Sequence, residues 1–285
     1  MTKAFLLKRE WMIVCINLFL VIVISAHNSG QKPLDVMTCE EYAKVHHTYP
    51  YIVEIQAGEA ALLYFGSQHI SDPKHPQNEQ IQKLWQVFRP SIAFNEGGNP
   101  PVEKSVEEAV SRFEEPGLVR FLASRDHVPV RSLEPGYREE ASMLLKSYSC
   151  EQIKVYYALR QVLNYGRSKN DTTIEEYMEG FLKWLSTAYG LESAPNSTAE
   201  LEKSCWRLLN LRNWREVEKE WLDPARDKPL TYMNEMACLS SRFRDRHMIN
   251  LLASEVKQGK RVFAVVGGSH VLMQEGALKA ALGSK

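Results

Sequence analysis

Leu62-Leu63-Tyr64-Phe65-Gly66-Ser67-Gln68-His69 is an apolar run that stops at a glycine and delivers a histidine three residues later. Other stretches share the design. Ser91-Ile92-Ala93-Phe94-Asn95 runs into Glu96-Gly97-Gly98, Val128-Pro129-Val130-Arg131-Ser132-Leu133 into Glu134-Pro135-Gly136, and Arg261 to Val266 into Gly267-Gly268-Ser269-His270. Short runs rich in Val, Ile, Leu and Phe, separated by helical periodicity, are the pattern of a parallel sheet covered on both faces. The predicted fold is α/β, with a mainly parallel central sheet flanked by helices and a helical cap inserted between strands. Ligands bind such sheets beyond the carboxyl ends of the strands, so His69, Glu96, Glu134 and His270 are expected in one cleft.

The chain has 285 residues, 44% hydrophobic and 25% charged, enough for a substantial core. Lys+Arg and Asp+Glu both number 35, so no net field draws it to nucleic acid. Lys3, Lys8 and Arg9 precede an apolar run from Trp11 to Ala26, the pattern of a secretory signal peptide or, if uncut, of an N-terminal membrane anchor. Either reading puts the folded part outside the cytoplasm, secreted or anchored, and confines membrane association to that segment. Residues 1–30 are assigned to it, 31–50 to a linker and lead-in, and 51–285 to the α/β domain. Cys39, Cys150, Cys205 and Cys238 then lie in an oxidising compartment, as disulfides in one of several pairings or as buried thiols. Asn170-Asp171-Thr172 and Asn196-Ser197-Thr198 fit the glycosylation sequon, which matters in a eukaryotic source.

Tyr51 to Gln56 and Ala60 to Phe65 read as a hairpin turned at Ala57-Gly58-Glu59. Pro73 and Pro76 delay the next helix to Asn78–Phe88, which buries Ile81, Leu84, Trp85 and Phe88. Helices are expected over 102–114 and 116–125, and then without intervening strands from Arg138 to Glu220, the cap being placed at about 138–227. Its Trp184, Trp206, Trp214 and Trp221 read as core rather than as cofactor contacts. A long helix from Tyr232 to Gln258 carries Arg242, Arg244, Asp245 and Arg246. Flanking Met236, Leu239, Phe243 and Met248 bury one side, which lets one of these arginines enter the cleft while Asp245 pairs with a neighbouring arginine across the helix surface. His46, His47, His75, His127 and His247 are assigned surface or packing roles, and Ser67 and Ser269 lack a nucleophile elbow.

The chain contains no HExxH, GxSxG, Walker loop or GxGxxG. What it does contain, in order between Tyr51 and Gly283, is Gly66-x-x-His69, Glu96, Leu133-Glu134 with Glu139-Glu140, Arg244-Asp245-x-x-Met248 and Val266-Gly267-Gly268-Ser269-His270. This set resembles the TraB/PrgY and TIKI family, within the wider group that includes the erythromycin esterases and the ChaN haem-binding lipoproteins. The first motif reads Gly-Ser-Gln-His where TIKI-like sequences usually have Gly-Thr-x-His, and the second reads Asn-Glu-Gly-Gly. The resemblance implies a metal-dependent peptidase for TIKI-like members, a metal-independent esterase for the erythromycin branch, and ligand binding without catalysis for the haem branch.

Imidazole and carboxylate donors without a thiolate suit a divalent ion such as Mn²⁺ or Co²⁺. With His69, His270 and Glu96 (or Glu134) as the metal set, bound water is acidified towards about 7 and the remaining glutamate serves as base and then acid. Arg244 is placed to stabilise the oxyanion or to hold a substrate carboxylate. In the metal-free version His69 takes the proton of the attacking water directly, oriented by Glu96 or Glu134. The expectation is an extracytoplasmic hydrolase of a peptide or ester substrate with His69, Glu96, Glu134, Arg244 and His270 as its catalytic group. The alternative is a non-catalytic haem or small-ligand binding protein, which needs a Tyr or His for iron and neither Arg244 nor both glutamates.

Overall fold

The computed structural model describes residues 36–165, 172–193, 195–226 and 228–283. The expected signal or anchor segment, Cys15 and Asn170-Asp171 of the first sequon lie outside them, as does Asp227 at the end of the expected cap. Strand β2 (Ala60–Ser67) is buried along its whole length, as a strand covered on both faces must be. It is the second arm of the hairpin begun by β1 (Tyr51–Ala57), with Tyr51 opposite Gly66. The remaining strands are β3 (Ile92–Asn95), β4 (Val130–Ser132) and β5 (Arg261–Gly267).

The five-stranded sheet has the order β1-β2-β5-β3-β4, antiparallel only at β1 and β2. The parallel strands finish level. Ser67 pairs with Gly267, while Asn95 pairs with Val265 on one side and Ser132 on the other. The residue that follows each strand is therefore delivered to a common edge.

Alternation along the strands builds two layers of core. Leu63, Phe65, Ala93, Phe263 and Val265 face α2 (Pro76–Phe88) and α3 (Val106–Arg125), where they meet Ile81, Trp85, Leu118 and Leu122. Leu62, Tyr64, Phe94, Val262 and Ala264 face α8 (Tyr232–Lys257) and α9 (Gly268–Leu282), where they meet Met248, Leu252, Val271 and Leu278. Each such Val, Leu, Ile, Phe or Met side chain contributes about 1.5–3 kcal/mol on burial. Between β4 and α8 the regular structure of the described residues is all helical: α4 (Tyr137–Leu144), α5 (Cys150–Tyr165), α6 (Ile174–Tyr189), α7 (Thr198–Leu209) and turns of 3-10 helix at Trp214–Glu216 and Lys219–Leu222. This block has its own apolar cluster, completed by Met233, Met236 and Ala237 of α8. Trp214 is buried as expected, but Trp184 and Trp206 are exposed by 39% and 48%. Buried Lys154 is held by Ser186 Oγ, the Ser193 carbonyl and Asn196 Oδ1, so the asparagine of the second sequon serves as an internal acceptor.

Several boundaries differ from expectation for local reasons. Helix α2 starts at Pro76, because proline fits the first helical position and the His75 side chain accepts from the Gln77 N–H. Helix α3 starts at Val106 rather than 102, where the Ser105 hydroxyl accepts from the Glu108 N–H. It breaks at Phe113 and Glu114, just before Pro116, as the two expected helices require. Gly66 brings three backbones together: a Cβ there would lie 2.7 Å from the Tyr51 carbonyl oxygen and 2.8 Å from Gly268 Cα.

The lead-in is tied to the domain by α1 (Cys39–Tyr42), whose Cys39 forms a disulfide with Cys238 of α8 across 199 residues of sequence. Cys150 and Cys205 are free thiols. A crosslink closing so long a loop restricts the unfolded chain, by typically about 2–4 kcal/mol. Replacing both bridged cysteines by serine is expected to lower the unfolding free energy from urea titration by that amount, measured against Cys150→Ser, which should leave it within about 0.5 kcal/mol.

Candidate functional site

Each expected site residue arrives at the carboxyl edge from a different element. His69 follows β2, Glu96 follows β3, Glu134 follows β4, and Arg244 points in from the middle of α8. His270 differs from expectation: β5 ends at Gly267, and Gly268-Ser269-His270 form the first turn of α9.

Glu96, Glu134, Arg244 and His270 meet directly. The Arg244 guanidinium donates through Nε to Glu134 Oε2 at 2.7 Å, and through Nη2 to Glu134 Oε1 at 2.5 Å and to Glu96 Oε1 at 2.7 Å. Arg244 is thus committed to two carboxylates and is only 8% exposed, rather than held out towards an oxyanion. Glu96 Oε2 accepts the Gly267 N–H at 2.7 Å, so a carboxylate from β3 also caps the start of α9, where helix charge favours an anion. His270 Nε2 lies 3.5 Å from Glu96 Oε1, and its Nδ1 lies 2.6 Å from Asp245 Oδ1.

Asp245, expected on the helix surface, is wholly buried. Next to Arg244 on α8, it serves a different partner, His270 rather than Glu96 and Glu134. Gln274 Nε2 donates to the same Asp245 oxygen at 2.7 Å, and the Tyr64 hydroxyl donates to Gln274 Oε1 at 3.0 Å. One network therefore runs from Tyr64 in the sheet through Gln274, Asp245, His270, Glu96 and Arg244 to Glu134.

His69 is the most accessible member, with 35% of its side chain exposed. Its Nδ1 lies 2.5 Å from Oε1 of Glu115, a carboxylate that is itself fully buried. Its Nε2 borders Gly267 together with Glu96 Oε2: a Cβ on Gly267 would lie 3.1 Å from the first and 3.3 Å from the second. The glycine keeps that space open. Glu115 reaches His69 because α3 breaks immediately before it, with Glu114 at φ 53°, ψ −144°. A glutamate in that conformation costs about 1–3 kcal/mol, a strain commonly found where a side chain must be aimed. Asn95 Nδ2 donates to the Pro116 carbonyl at 3.5 Å, joining the break to the end of β3.

Charge sets the protonation of the group. Burial alone would raise the Glu96 carboxyl, but His270, Arg244 and His69 hold it well below the ordinary carboxylate range. Glu134 is lowered in the same way, burial being outweighed by Arg244. Burial disfavours the His270 imidazolium, yet Glu96 and Asp245 lift it to about 10. For His69, burial is overcome by its Glu115 partner, with Glu96 and Glu114 adding to the rise to about 9.

The donors expected to hold a metal, His69, Glu96 and His270, are already engaged. Glu96 accepts from Arg244 and Gly267, and both His270 nitrogens face carboxylates. That set does not fit an ion as arranged. Ligand atoms of His69, Glu114 and Glu115 all lie within 4.8 Å of one another; His69 Nδ1 and Glu115 Oε1 are engaged with each other, while Glu115 Oε2 has no hydrogen-bond partner among the described residues. Neither glutamate was singled out from sequence, although an acidic pair directly before Pro116 was a local signal. Ser67 Oγ donates to the Val266 carbonyl at 3.0 Å and is buried, consistent with its not being read as a nucleophile. No protein-family model, no curated protein and no solved structure matches the chain.

The network makes stability depend on pH. His270 binds its proton more tightly in the fold, at about 10, than at its ordinary 6.5, so its contribution is complete below about pH 6.5 and is lost as pH rises through about 10. His69 adds to the same alkaline loss through about 9, whereas Glu96 and Glu134, lowered from 4.5, lose theirs as pH falls through their folded values. The urea midpoint should decline from neutral pH towards about pH 10, and His270→Gln should make that decline shallower. An equally steep decline in the variant would remove His270 from the account.

Proposed function

We propose that this chain is an extracytoplasmic hydrolase of peptide or ester bonds in which His69 takes the proton of the attacking water. The observation that carries the reading is the placement of His69. A fully buried carboxylate, Glu115, fixes its Nδ1, its side chain is 35% exposed, and its Nε2 lies beside Gly267 and Glu96. A base oriented through its far nitrogen, with its near nitrogen free for water, is the arrangement general-base catalysis needs. Glu96 lies opposite and favours the imidazolium that forms, while Arg244, Glu134 and His270 hold Glu96 in place. The disulfide supports a location outside the cytoplasm. The resemblance to the TraB and TIKI group implies hydrolysis, metal-dependent in TIKI-like members and metal-independent in the erythromycin esterase branch.

A second reading, metal-assisted hydrolysis, is favoured by the tight group of His69, Glu114 and Glu115. A divalent ion there would be held by one imidazole and two carboxylates, and its chemistry is to acidify bound water. Calorimetric titration of Mn²⁺ distinguishes the readings. Stoichiometric binding that disappears in Glu115→Gln supports the ion, whereas activity that survives chelation supports the unaided histidine.

His69→Ala is expected to lower turnover by about 10²–10⁴-fold while the protein stays folded. Full activity in that variant would falsify the assignment. Because His69 holds its proton up to about 9, the rate should rise with pH through that region, the neutral imidazole being the base. Gly267→Ala puts a methyl group 3.1 Å from His69 Nε2, so turnover should fall by about 10²-fold at nearly unchanged thermal stability. Unaltered turnover there would mean that water is activated elsewhere.

A further inference from the structure

Residues 43–50, read from sequence as part of the lead-in, form a strap over the first turns of α9. The strap is fastened at both ends. Before it, α1 is bridged to α8 by Cys39 and Cys238, and the Met37 N–H donates to the Met273 carbonyl at 3.1 Å. After it, β1 begins at Tyr51, whose hydroxyl donates to Glu275 Oε2 of α9 at 2.6 Å. Between these ties the His47 ring stands among those of Tyr42, Tyr49 and Tyr51, with centroids 5.5, 5.0 and 6.2 Å away.

Tyr49 brings the strap to the candidate site. Its ring rests on Gly268, where a Cβ would lie 2.2 Å from Tyr49 Cε1 and 2.7 Å from Cδ1. On the preceding residue, Gly267, the same position faces His69 Nε2 and Glu96 Oε2. His69 and Tyr49 therefore pack against consecutive residues of one turn.

A cavity of about 410 Å³ opens under the strap, lined by Val45, His46, His47, Thr48, Tyr51 and Leu272. Leu272 lies four residues beyond Gly268, one turn along the same face of α9. Helical rise puts it about 7–8 Å from Gly267, a distance that about two residues of an extended chain cover. The lining contains no Lys, Arg, Asp or Glu: Val45 and Leu272 offer aliphatic surface, and His47 and Tyr51 offer rings. Such a wall favours an uncharged aromatic group, which gains from edge-to-face ring contacts. The volume falls near the lower end of ligand sites, about 300–1,000 Å³, and holds one such side chain with its flanking backbone. Another cavity, of about 610 Å³ beside Phe88, Arg89 and Arg261, lies where β5 begins, at the opposite end of the strands from His69.

We infer that the cavity under the strap is a substrate subsite for an aromatic side chain about two residues from the bond to be cut, with Tyr49 as the wall between it and His69. This deepens the hydrolase reading and rests on it for the word substrate. The preference for an aromatic group rests on the lining alone.

The test is calorimetric titration of the whole protein with N-acetylphenylalanine amide and with N-acetylglycine amide, in wild type, Val45→Asp, Thr48→Trp and His69→Ala. Val45 and Thr48 are exposed, so neither change alters the core. Wild type is expected to prefer the phenylalanine amide at least about tenfold, burial of one ring being the difference between the probes. The preference should fall to near one in Thr48→Trp, whose indole fills the cavity. It should fall to about threefold in Val45→Asp, which sets a charge at the rim, and persist in His69→Ala. Equal binding of the two amides by wild type overturns the subsite, as does a preference that survives both Val45→Asp and Thr48→Trp. A protein that prefers the phenylalanine amide through these residues but hydrolyses no peptide or ester keeps the binding site and overturns the proposed reaction.

Discussion

The guanidinium of Arg244 is the constraint on which the site depends. Glu96 and Glu134 follow neighbouring strands and are mostly withdrawn from water, with 13% and 21% of their side chains exposed. Two carboxylates so placed repel strongly unless a cation lies between them. Arg244 supplies it with three hydrogen bonds, and removing one partner of such a buried set costs about 3–5 kcal/mol. An apolar cluster of the same volume would serve stability as well, so the network is better understood as a positioning device. It fixes Glu96, and Glu96 in turn fixes Gly267 and the start of α9.

The two histidines share a sequence design and differ in circumstance. His270 is 8% exposed and held between Asp245 and Glu96, as an internal cation that locks α9 to α8 and the sheet. His69 is anchored through Nδ1 to Glu115 and is 35% exposed. What separates them is the carboxylate behind each ring. Asp245 comes from a straight stretch of α8, whereas Glu115 is turned inward by a break in α3. The strained Glu114 backbone is thus connected to the orientation of a ring on another element.

Much of this was legible in the sequence. Buried strands ending in Gly or a charged residue gave the parallel sheet, and the strand-end rule brought His69, Glu96, Glu134 and His270 together. The apolar residues around the basic run indicated that one arginine enters the cleft, and the Arg244-Asp245-x-x-Met248 motif of the resemblance indicated Arg244. Asp245 was misplaced because helical periodicity describes a mean face, while a buried acid is set by a partner distant in sequence, here His270. Glu115 was missed for a related reason: Pro116 announced a helix boundary but not the direction in which the break would turn the preceding side chain. The first turn of α9 was read as strand end because Gly267-Gly268 has no strong local preference and takes its geometry from Glu96 and Tyr49.

Strand order has a consequence for how the molecule comes into being. β5 lies between β2 and β3 in the sheet but follows every other strand in the chain. Until it is inserted, β2 and β3 have no shared neighbour, and each presents an unpaired edge whose residues are strongly apolar. The sheet, the Gly267 amide that holds Glu96, and His270 all arrive with that last insertion. Assembly is therefore dominated by contacts between distant parts of the chain, which is slow and leaves sticky edges exposed while it proceeds. A chain growing from its amino end acquires the hairpin, α2, α3 and α8 first, and completes the second helical layer and the charged network only when β5 closes the gap and α9 follows it.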